Sequence, residues 1–283
     1  MIFLNHSPIF AKKSKVLSRK FIIRTFAVVG LYIAVSSYIL KNEEKFFFEH
    51  EVISTSDSYS FNLPFKEINI KVNQETLLHA LLFPRENPKG LVLLFPSGNY
   101  LPQSFNAHDN YFYNKGYSLL IPDYKGTGKS NSVYKNEDDI YKDAQQWYKM
   151  AHSIADSLKL IVYGEEFGAG IAAWVGGEFS ADLIVLESPY YSWSEIMLKK
   201  YFWMLPHTLF TQYKIPTWEF IRKSTNKTIL IHASQAEFIK YENSQRLLEF
   251  LKPGDELITL DANNKEANLL LYNQNMKRIL SQY

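Results

Sequence analysis

The stretch LIVYGEEFGAGIAAW, Leu160–Trp174, decides the fold of this 283-residue chain. Its first residues form an apolar, β-branched run that is typical of a buried strand, and its last residues favour a helix. Gly164 and Gly168 flank a tight turn with Glu166 at its centre. Glycine at such positions permits a strained backbone angle and a close approach of helix and strand. The order of strand, turn and helix is the context of a nucleophile elbow.

Strands and helices alternate on both sides of this segment. Three strand-like runs come first, and strands then alternate with helices, which predicts a mostly parallel sheet with helices on both faces. The predicted strands are Glu67–Val72, Thr76–Phe83, Gly90–Phe95, Tyr117–Pro122, Lys159–Tyr163, Asp182–Glu187, Thr228–His232 and Glu256–Leu260. The predicted helices are Gln103–Lys115, Glu137–Leu158, Phe167–Phe179, Tyr241–Leu251 and Glu266–Ser281. The sequence therefore predicts one α/β doubly wound domain over residues 65–283.

An insertion over residues 192–222 interrupts this alternation. It is rich in tyrosine, tryptophan and phenylalanine and is broken by Pro206 and Pro216. We expect a short lid. Aromatic residues at such spacing usually pack within a core or a lid, while contact with an apolar ligand, a lipid or a protein partner is the alternative.

The amino-terminal part carries an apolar run over residues 21–40, FIIRTFAVVGLYIAVSSYIL, in which Arg24 is the single charge. About 20 such residues are enough for a helix to cross a bilayer. Residues 1–20 are basic, and residues 41–64 form a polar connector. The basic excess predicts a single-pass anchor with a cytoplasmic amino terminus and the domain on the far, periplasmic or otherwise extracytoplasmic, side. A cleaved signal peptide is the alternative, with a weak cleavage site near Ala34 and Ser36.

Composition excludes several classes of function. The formal charge of +2 gives no broad basic face for nucleic acid, and the absence of cysteine excludes disulfides and cysteine-ligated metals. The histidines lack the spacing of metal ligands and are interpreted as structural: His79, His108, His152 and His232. The segment GTGKS, Gly126–Ser130, is not a phosphate-binding loop, because Asp123 occupies the position of the required first glycine. No metal or cofactor is predicted.

Several motifs in order resemble the α/β-hydrolase superfamily, and in particular its membrane-anchored and serine-peptidase-like branch. They are LVLLFPSGN at Leu91–Asn99, IPDYKGTGKS at Ile121–Ser130, GEEFG at Gly164–Gly168, LESPYYS at Leu186–Ser192 and ILIHAS at Ile229–Ser234. The resemblance runs from about Gly90 to the end of the sequence. It implies the α/β-hydrolase fold, an oxyanion loop near Pro96, and structural roles for Asp123 and Ser130 at the turn.

The same resemblance places the catalytic triad of serine, acid and histidine on residues that cannot perform those roles. The elbow position is Glu166, the acid position is Ala236 with Glu237 beside it, and the histidine position is Lys265. No histidine follows His232 anywhere in the sequence, so the proton shuttle of the serine mechanism is missing. We therefore predict no catalytic residues at these positions.

Two classes of function follow. The first is a pseudoenzyme that works as a binding or scaffold module, in which Glu166 and Lys265 form a partly buried ion pair or Lys265 points to solvent. The second is an active hydrolase of esters, thioesters or peptides that uses Glu166, Glu237 and Lys265. A carboxylate nucleophile at Glu166 is disfavoured, because its ester intermediate still needs a histidine to activate water.

Overall fold

The computed structural model describes residues 18–43, 52–105, 110–200, 211–260 and 265–281, except for the side chains of Ser104 and residues 265–270. An eight-stranded sheet forms its centre, in the order β1-β2-β4-β3-β5-β6-β7-β8. The strands are β1 (Lys66–Lys71), β2 (Leu77–Phe83), β3 (Gly90–Phe95), β4 (Ser118–Pro122), β5 (Lys159–Glu165), β6 (Leu183–Glu187), β7 (Thr228–Ala233) and β8 (Glu256–Leu260). The predicted sheet is confirmed.

The direction of the strands defines the edge of the sheet at which a site can form. Strand β2 pairs antiparallel with β1 and β4, while all the other pairs are parallel. The carboxyl ends of β3 to β8 therefore meet at one edge, where ligands bind in open α/β sheets. In the register of β5 and β6, Glu165 lies opposite Glu187 at this edge.

Helices cover both faces of the sheet and bury two apolar cores. One core contains Trp147, Phe167 and Leu186, and the other contains Phe83, Phe112 and Met276. The helices after the first strands are α2 (Tyr111–Asn114), α3 (Glu137–Ala155), α4 (Phe167–Glu178), α5 (Trp193–Lys200), α6 (Thr217–Lys223), α7 (Glu242–Leu247) and α8 (Lys265–Leu280). Short 3-10 turns lie at Pro102–Ser104 and Leu248–Phe250.

Local sequence explains where α3 begins and ends. The side chain of Asn136 accepts a hydrogen bond from the Asp139 N–H at 3.2 Å, and three acidic residues occupy the first turn. Both features stabilise a helix amino terminus. Asp156 adopts a positive φ of 52° directly after the helix, so α3 ends at Ala155 and not at the predicted Leu158.

The predicted helix Gln103–Lys115 is wrong, because Phe105 and Asn110 are both extended. Pro102 supports only a 3-10 turn, and the Asn110 side chain caps a new helix by accepting the N–H of Phe112 at 3.0 Å. Strand β5 runs to Glu165, beyond its predicted end at Tyr163. Its extra residues bring Glu165 into the sheet beside the elbow.

Helix α1 (Arg19–Lys41) precedes the domain and is long and apolar enough to cross a membrane. Most of its side chains are exposed, as they are in a spanning helix or a signal sequence. Part of the predicted connector packs on the domain: the Ile53 N–H donates to the Gly128 carbonyl at 2.7 Å, and Tyr59 is buried. Of the predicted lid insertion, α5 and α6 are described, and residues 201–210 lie outside the described part.

Candidate functional site

Glu166 forms the turn between β5 and α4 and has the backbone of a nucleophile elbow. Its φ is 47° and its ψ is −108°, a conformation that residues with a side chain rarely adopt. The turn is held by the Glu166 N–H, which donates to the Glu187 carbonyl at 2.9 Å, and by the Ala169 N–H, which donates to the Glu166 carbonyl at 3.0 Å. The predicted elbow is therefore present, with a carboxyl side chain at its apex.

Glycine is required on both sides of this turn. A Cβ atom on Gly164 would lie 2.3 Å from the Gly168 carbonyl oxygen, and one on Gly168 would lie 2.1 Å from the Phe95 carbonyl oxygen. These neighbours are backbone atoms of α4 and of β3, which cannot rotate away as a side chain can. The small residues of the sequence motif thus allow α4 to pack directly on the ends of β3 and β5.

Two further carboxyl groups lie next to the elbow. Glu165 and Glu187 end the neighbouring strands β5 and β6 and are both half-buried. The hydroxyl of Tyr163, which is buried, donates a short hydrogen bond to the Glu187 carboxylate. The Tyr272 hydroxyl of α8 lies 3.2 Å from that of Tyr163. The elbow is therefore the centre of a cluster of three acids, Glu165, Glu166 and Glu187, which we call the acid cluster.

Burial raises the pKa of each member of the acid cluster. For Glu165, burial and the charges of Glu187 and Glu166 raise the pKa to about 8. Burial raises the pKa of Glu187 as well, although the hydrogen bond from Tyr163 opposes the rise, and burial alone raises the pKa of Glu166. Like charges this close cannot all ionise together. Glu165 therefore keeps its proton at neutral pH.

The oxyanion loop after β3 faces the same acids. Pro96 has no backbone N–H, and the N–H of the next residue, Ser97, donates a hydrogen bond to the Glu165 carboxyl group. The Tyr124 hydroxyl donates to the Pro96 carbonyl at 2.7 Å and fixes the loop from the side of β4. The Ser97 N–H, which an oxyanion hole would use as a donor, is therefore already hydrogen-bonded to Glu165.

The position predicted for the acid of the triad has no described contact with Glu166. Ala236 lies in the loop after β7, and its neighbour Glu237 is exposed. Within the described residues, no hydrogen bond or ion pair joins Glu237 to Glu166. Lys265 begins α8, but its side chain lies outside the described part, so the ion pair with Glu166 stays a prediction.

His232 is hydrogen-bonded within the core, which agrees with its interpretation as a structural histidine. It is completely buried, with Nδ1 2.7 Å from the Ser244 hydroxyl and Nε2 2.8 Å from the Ile239 carbonyl. Burial lowers the pKa of His232, which keeps the ring neutral. Both ring nitrogens have partners, so this ring has no nitrogen available for the elbow. His152 is exposed on α3, and His108 lies outside the described residues.

His79 belongs to a buried charge cluster that the sequence did not predict. Its Nδ1 lies 2.6 Å from Asp123 Oδ2 and its Nε2 lies 3.0 Å from Glu67 Oε2, which also binds the Lys129 ammonium at 2.7 Å. Ser130 accepts the His79 N–H at 2.8 Å. Because β2 runs antiparallel to β4, His79 meets Asp123 from a distant part of the sequence. The predicted turn role of Asp123 and Ser130 agrees with these contacts.

The strain at the elbow leads to a prediction about stability. Replacing Glu166 by glycine should stabilise the folded protein by about 1 kcal/mol, because glycine tolerates a positive φ and one carboxyl of the cluster is removed. Glu166→Ala is the matched control, since it removes the same carboxyl but keeps a Cβ at that φ. Denaturant unfolding of the full chain in detergent measures both. Equal stability of the two variants would show that the turn is not strained.

A twisted α/β sheet of this strand order, with an elbow between β5 and α4, defines the class of proteins with the α/β-hydrolase fold. Residues 86–254 match the model of the family described as Serine aminopeptidase, S33. The match spans more than half of the sequence, and the chain belongs to this family.

Solved structures of esterases and lipases share the fold. The esterase Pf2001 of Pyrococcus furiosus has a TM-score of 0.65 at 17% identity, with 82% of this chain and 96% of that chain covered. A soluble variant of monoglyceride lipase from Saccharomyces cerevisiae has a TM-score of 0.59 at 13% identity, with 81% and 99% covered. Est1E of Butyrivibrio proteoclasticus, solved with ferulic acid, has a TM-score of 0.60 at 14% identity, with 76% and 98% covered. No curated protein matches this sequence.

Proposed function

We propose that this protein is a membrane-anchored, non-catalytic member of its family that works as a binding or scaffold module. The observation that carries the proposal is Glu166 at the apex of the elbow, where a serine hydrolase needs its nucleophile. The other two triad positions hold Ala236 and Lys265, and no histidine follows His232. A fold survives without the site that it once carried.

The electrostatics of the pocket support the proposal independently of the triad. Acyl transfer places negative charge on a substrate oxygen, which hydrolases stabilise with backbone N–H groups. In this protein the Ser97 N–H donates to Glu165, and Pro96 has no N–H to offer. These two residues therefore offer no loop N–H to an oxyanion above Glu166.

Chemistry with a carboxylate nucleophile is disfavoured on the same grounds. Burial raises the pKa of the Glu166 carboxyl group, but what disfavours this chemistry is the missing base for its second step. An ester on Glu166 would need a base to activate water. The rings of His79 and His232 have both nitrogens engaged elsewhere. Among the described residues Glu237 is exposed and makes no contact with Glu166, so neither it nor these two histidines supplies the base that an active hydrolase would need.

Anchoring by α1 is the second part of the proposal. The helix has the length and apolar composition that a bilayer requires, and the basic residues before it favour a cytoplasmic amino terminus. The domain would then lie on the extracytoplasmic side. A cleaved signal sequence, the alternative, would be revealed by amino-terminal sequencing of the mature protein.

Labelling with a fluorophosphonate probe tests the loss of catalysis. We expect no labelling of the full chain in detergent, because these probes require a serine activated by a base. The variant Glu166→Ser should stay unlabelled too, since a serine at the elbow still has no imidazole beside it. An active serine hydrolase in the same sample confirms that the probe reacts. Labelling of the wild-type chain at any serine, located by mass spectrometry, would contradict the proposal.

A further inference from the structure

The end of helix α1 is fixed to the domain through Glu43. Glu43 follows Lys41 by two residues and is only 3% exposed. Its carboxylate accepts a short hydrogen bond from the Thr211 hydroxyl and a second one from the Gln212 N–H at 3.3 Å. Since a residue spans at most about 3.6 Å, Glu43 lies within roughly 7 Å of the end of the helix, and its side chain bonds Thr211 directly. The helix and the insertion after β6 therefore meet without a free linker.

Protein also packs along the last turns of α1. Ser36 is completely buried, whereas Val35 and Tyr38 beside it are 41% and 65% exposed. Ser36 lies about 7 Å before the end of the helix along its axis, at a rise of 1.5 Å per residue. In a helix that spans a bilayer, this depth corresponds to the headgroups and the adjoining part of the hydrocarbon. Part of the protein thus packs against α1 at the depth of the membrane interface.

Exposed lysines surround the junction of helix and domain. Lys41 ends α1, and Lys214 follows Thr211 and Gln212, which bind Glu43. Lys135 lies just before α3. The segment and α3 are joined by Glu137, whose carboxylate accepts the Lys214 N–H at 2.6 Å. Among the acids of the junction, Glu43 and Glu137 accept N–H groups of the insertion, while Asp138 and Asp139 in the first turn of α3 lie beside Lys135. The exposed Lys41 and Lys214 therefore carry the attraction to anionic headgroups.

The insertion is separated from the elbow by a single layer of side chains. The Trp193 N–H donates to the Ile215 carbonyl at 3.2 Å, and the Trp193 ring packs edge-on against Phe167 with their centroids 4.9 Å apart. Phe167 directly follows Glu166. The insertion thus connects the end of the membrane helix with the turn that carries the acid cluster.

We infer that residues 211–214 rest on the anionic headgroups of the bilayer that α1 spans, and that Glu43 holds them there. The partner of this surface is the bilayer itself. The insertion follows β6, so the carboxyl edge of the sheet then lies on the membrane side of the domain. The inference rests on the proposed anchoring by α1, and the test below separates the two.

The absence of cysteine allows a clean test by site-specific labelling. The full chain would be reconstituted into vesicles of phosphatidylcholine and phosphatidylglycerol, with a nitrobenzoxadiazole label on a single cysteine. Gln212→Cys probes the insertion and Ala34→Cys probes the helix, both at exposed positions. Ser157→Cys, exposed in the loop before β5 at the opposite edge of the sheet, is the matched control. Lipids with a spin label near the headgroup quench a label that lies at the interface.

We expect the label at position 212 to be quenched at least about two-fold more than the label at position 157. Adding Glu43→Ala, or replacing the anionic lipid by phosphatidylcholine, should reduce the difference. Quenching at position 34 together with equal, weak quenching at positions 212 and 157 would overturn the inference but leave the anchor in place. A lack of quenching at position 34 would refute the anchor, and the inference with it.

Discussion

Replacing Gly168 by alanine should destabilise the fold by about 3 kcal/mol or more, because the added methyl group has no space. The new Cβ would lie 2.1 Å from the Phe95 carbonyl oxygen and 2.6 Å from the Pro96 carbonyl oxygen. Both atoms belong to the backbone at the end of β3, which pairs with β4 and β5. Relief of the clash would require α4 to move away from the sheet and would disturb the elbow.

Gly176 on the same helix provides the control for Gly168→Ala. A Cβ there would lie 2.9 Å from Cγ1 of the buried Ile184, so a side chain and not the backbone has to shift. Alanine also favours a helix over glycine by about 1 kcal/mol, so Gly176→Ala should stay within about 1 kcal/mol of the wild type. Denaturant midpoints of both variants in detergent measure the difference. A wild-type midpoint for Gly168→Ala would mean that α4 does not pack on β3 as closely as described.

The wild-type protein should lose stability as the pH rises from 5 to 9. Replacing Glu165 by glutamine should remove a large part of this loss. The pKa of Glu165 is raised in the folded protein from 4.5 to about 8. Folded protein therefore keeps a proton that unfolded protein has already released, and the free energy of unfolding falls as the pH rises from 4.5 through 8. Since Glu165 is only half-buried and solvent screens part of the effect, we expect the loss to be about 2 kcal/mol.

Unfolding curves of the wild type and Glu165→Gln between pH 5 and 9 measure this effect. Glutamine has no proton to lose over this range, and its carbonyl can still accept the Ser97 N–H. Glu256→Gln is the control with the opposite sign, because hydrogen bonds from Arg278 lower the pKa of Glu256. The stabilisation that ionised Glu256 provides is fully present above the pKa of Glu256 in the unfolded protein, and it is lost only as the pH falls below that value. Parallel curves for the wild type and Glu165→Gln would show that Glu165 is ionised throughout.

The acid cluster shows where prediction from the sequence stops. The elbow was predictable, because its glycines and the strand and helix around it lie within fifteen consecutive residues, Leu160–Trp174. That Glu165 and Glu187 share the pocket was not, since they meet only through the parallel register of β5 and β6. The predicted strand also ended before Glu165, so this residue did not enter the predicted site.

The buried cluster around His79 was missed for the same reason. In the sequence His79 is a lone histidine on an apolar strand, and such a residue carries no signal of its partners. Its bonds to Asp123 and Glu67 arise from antiparallel pairing of β2 with both β4 and β1. The nearest sequence signal is the turn motif that contains Asp123 and Ser130, which predicts a structural turn but not the histidine beside it.

The sequence by itself determined the order of strands and helices, the elbow turn and the apolar helix α1, because each depends on periodicity, small residues or an unbroken apolar run. It also determined that Glu166 stands at the elbow and that no histidine follows His232. Tertiary structure alone decided that three carboxyl groups meet at the elbow and that Glu43 binds the insertion. These contacts join residues far apart in the chain, and their protonation depends on burial, which no local pattern encodes.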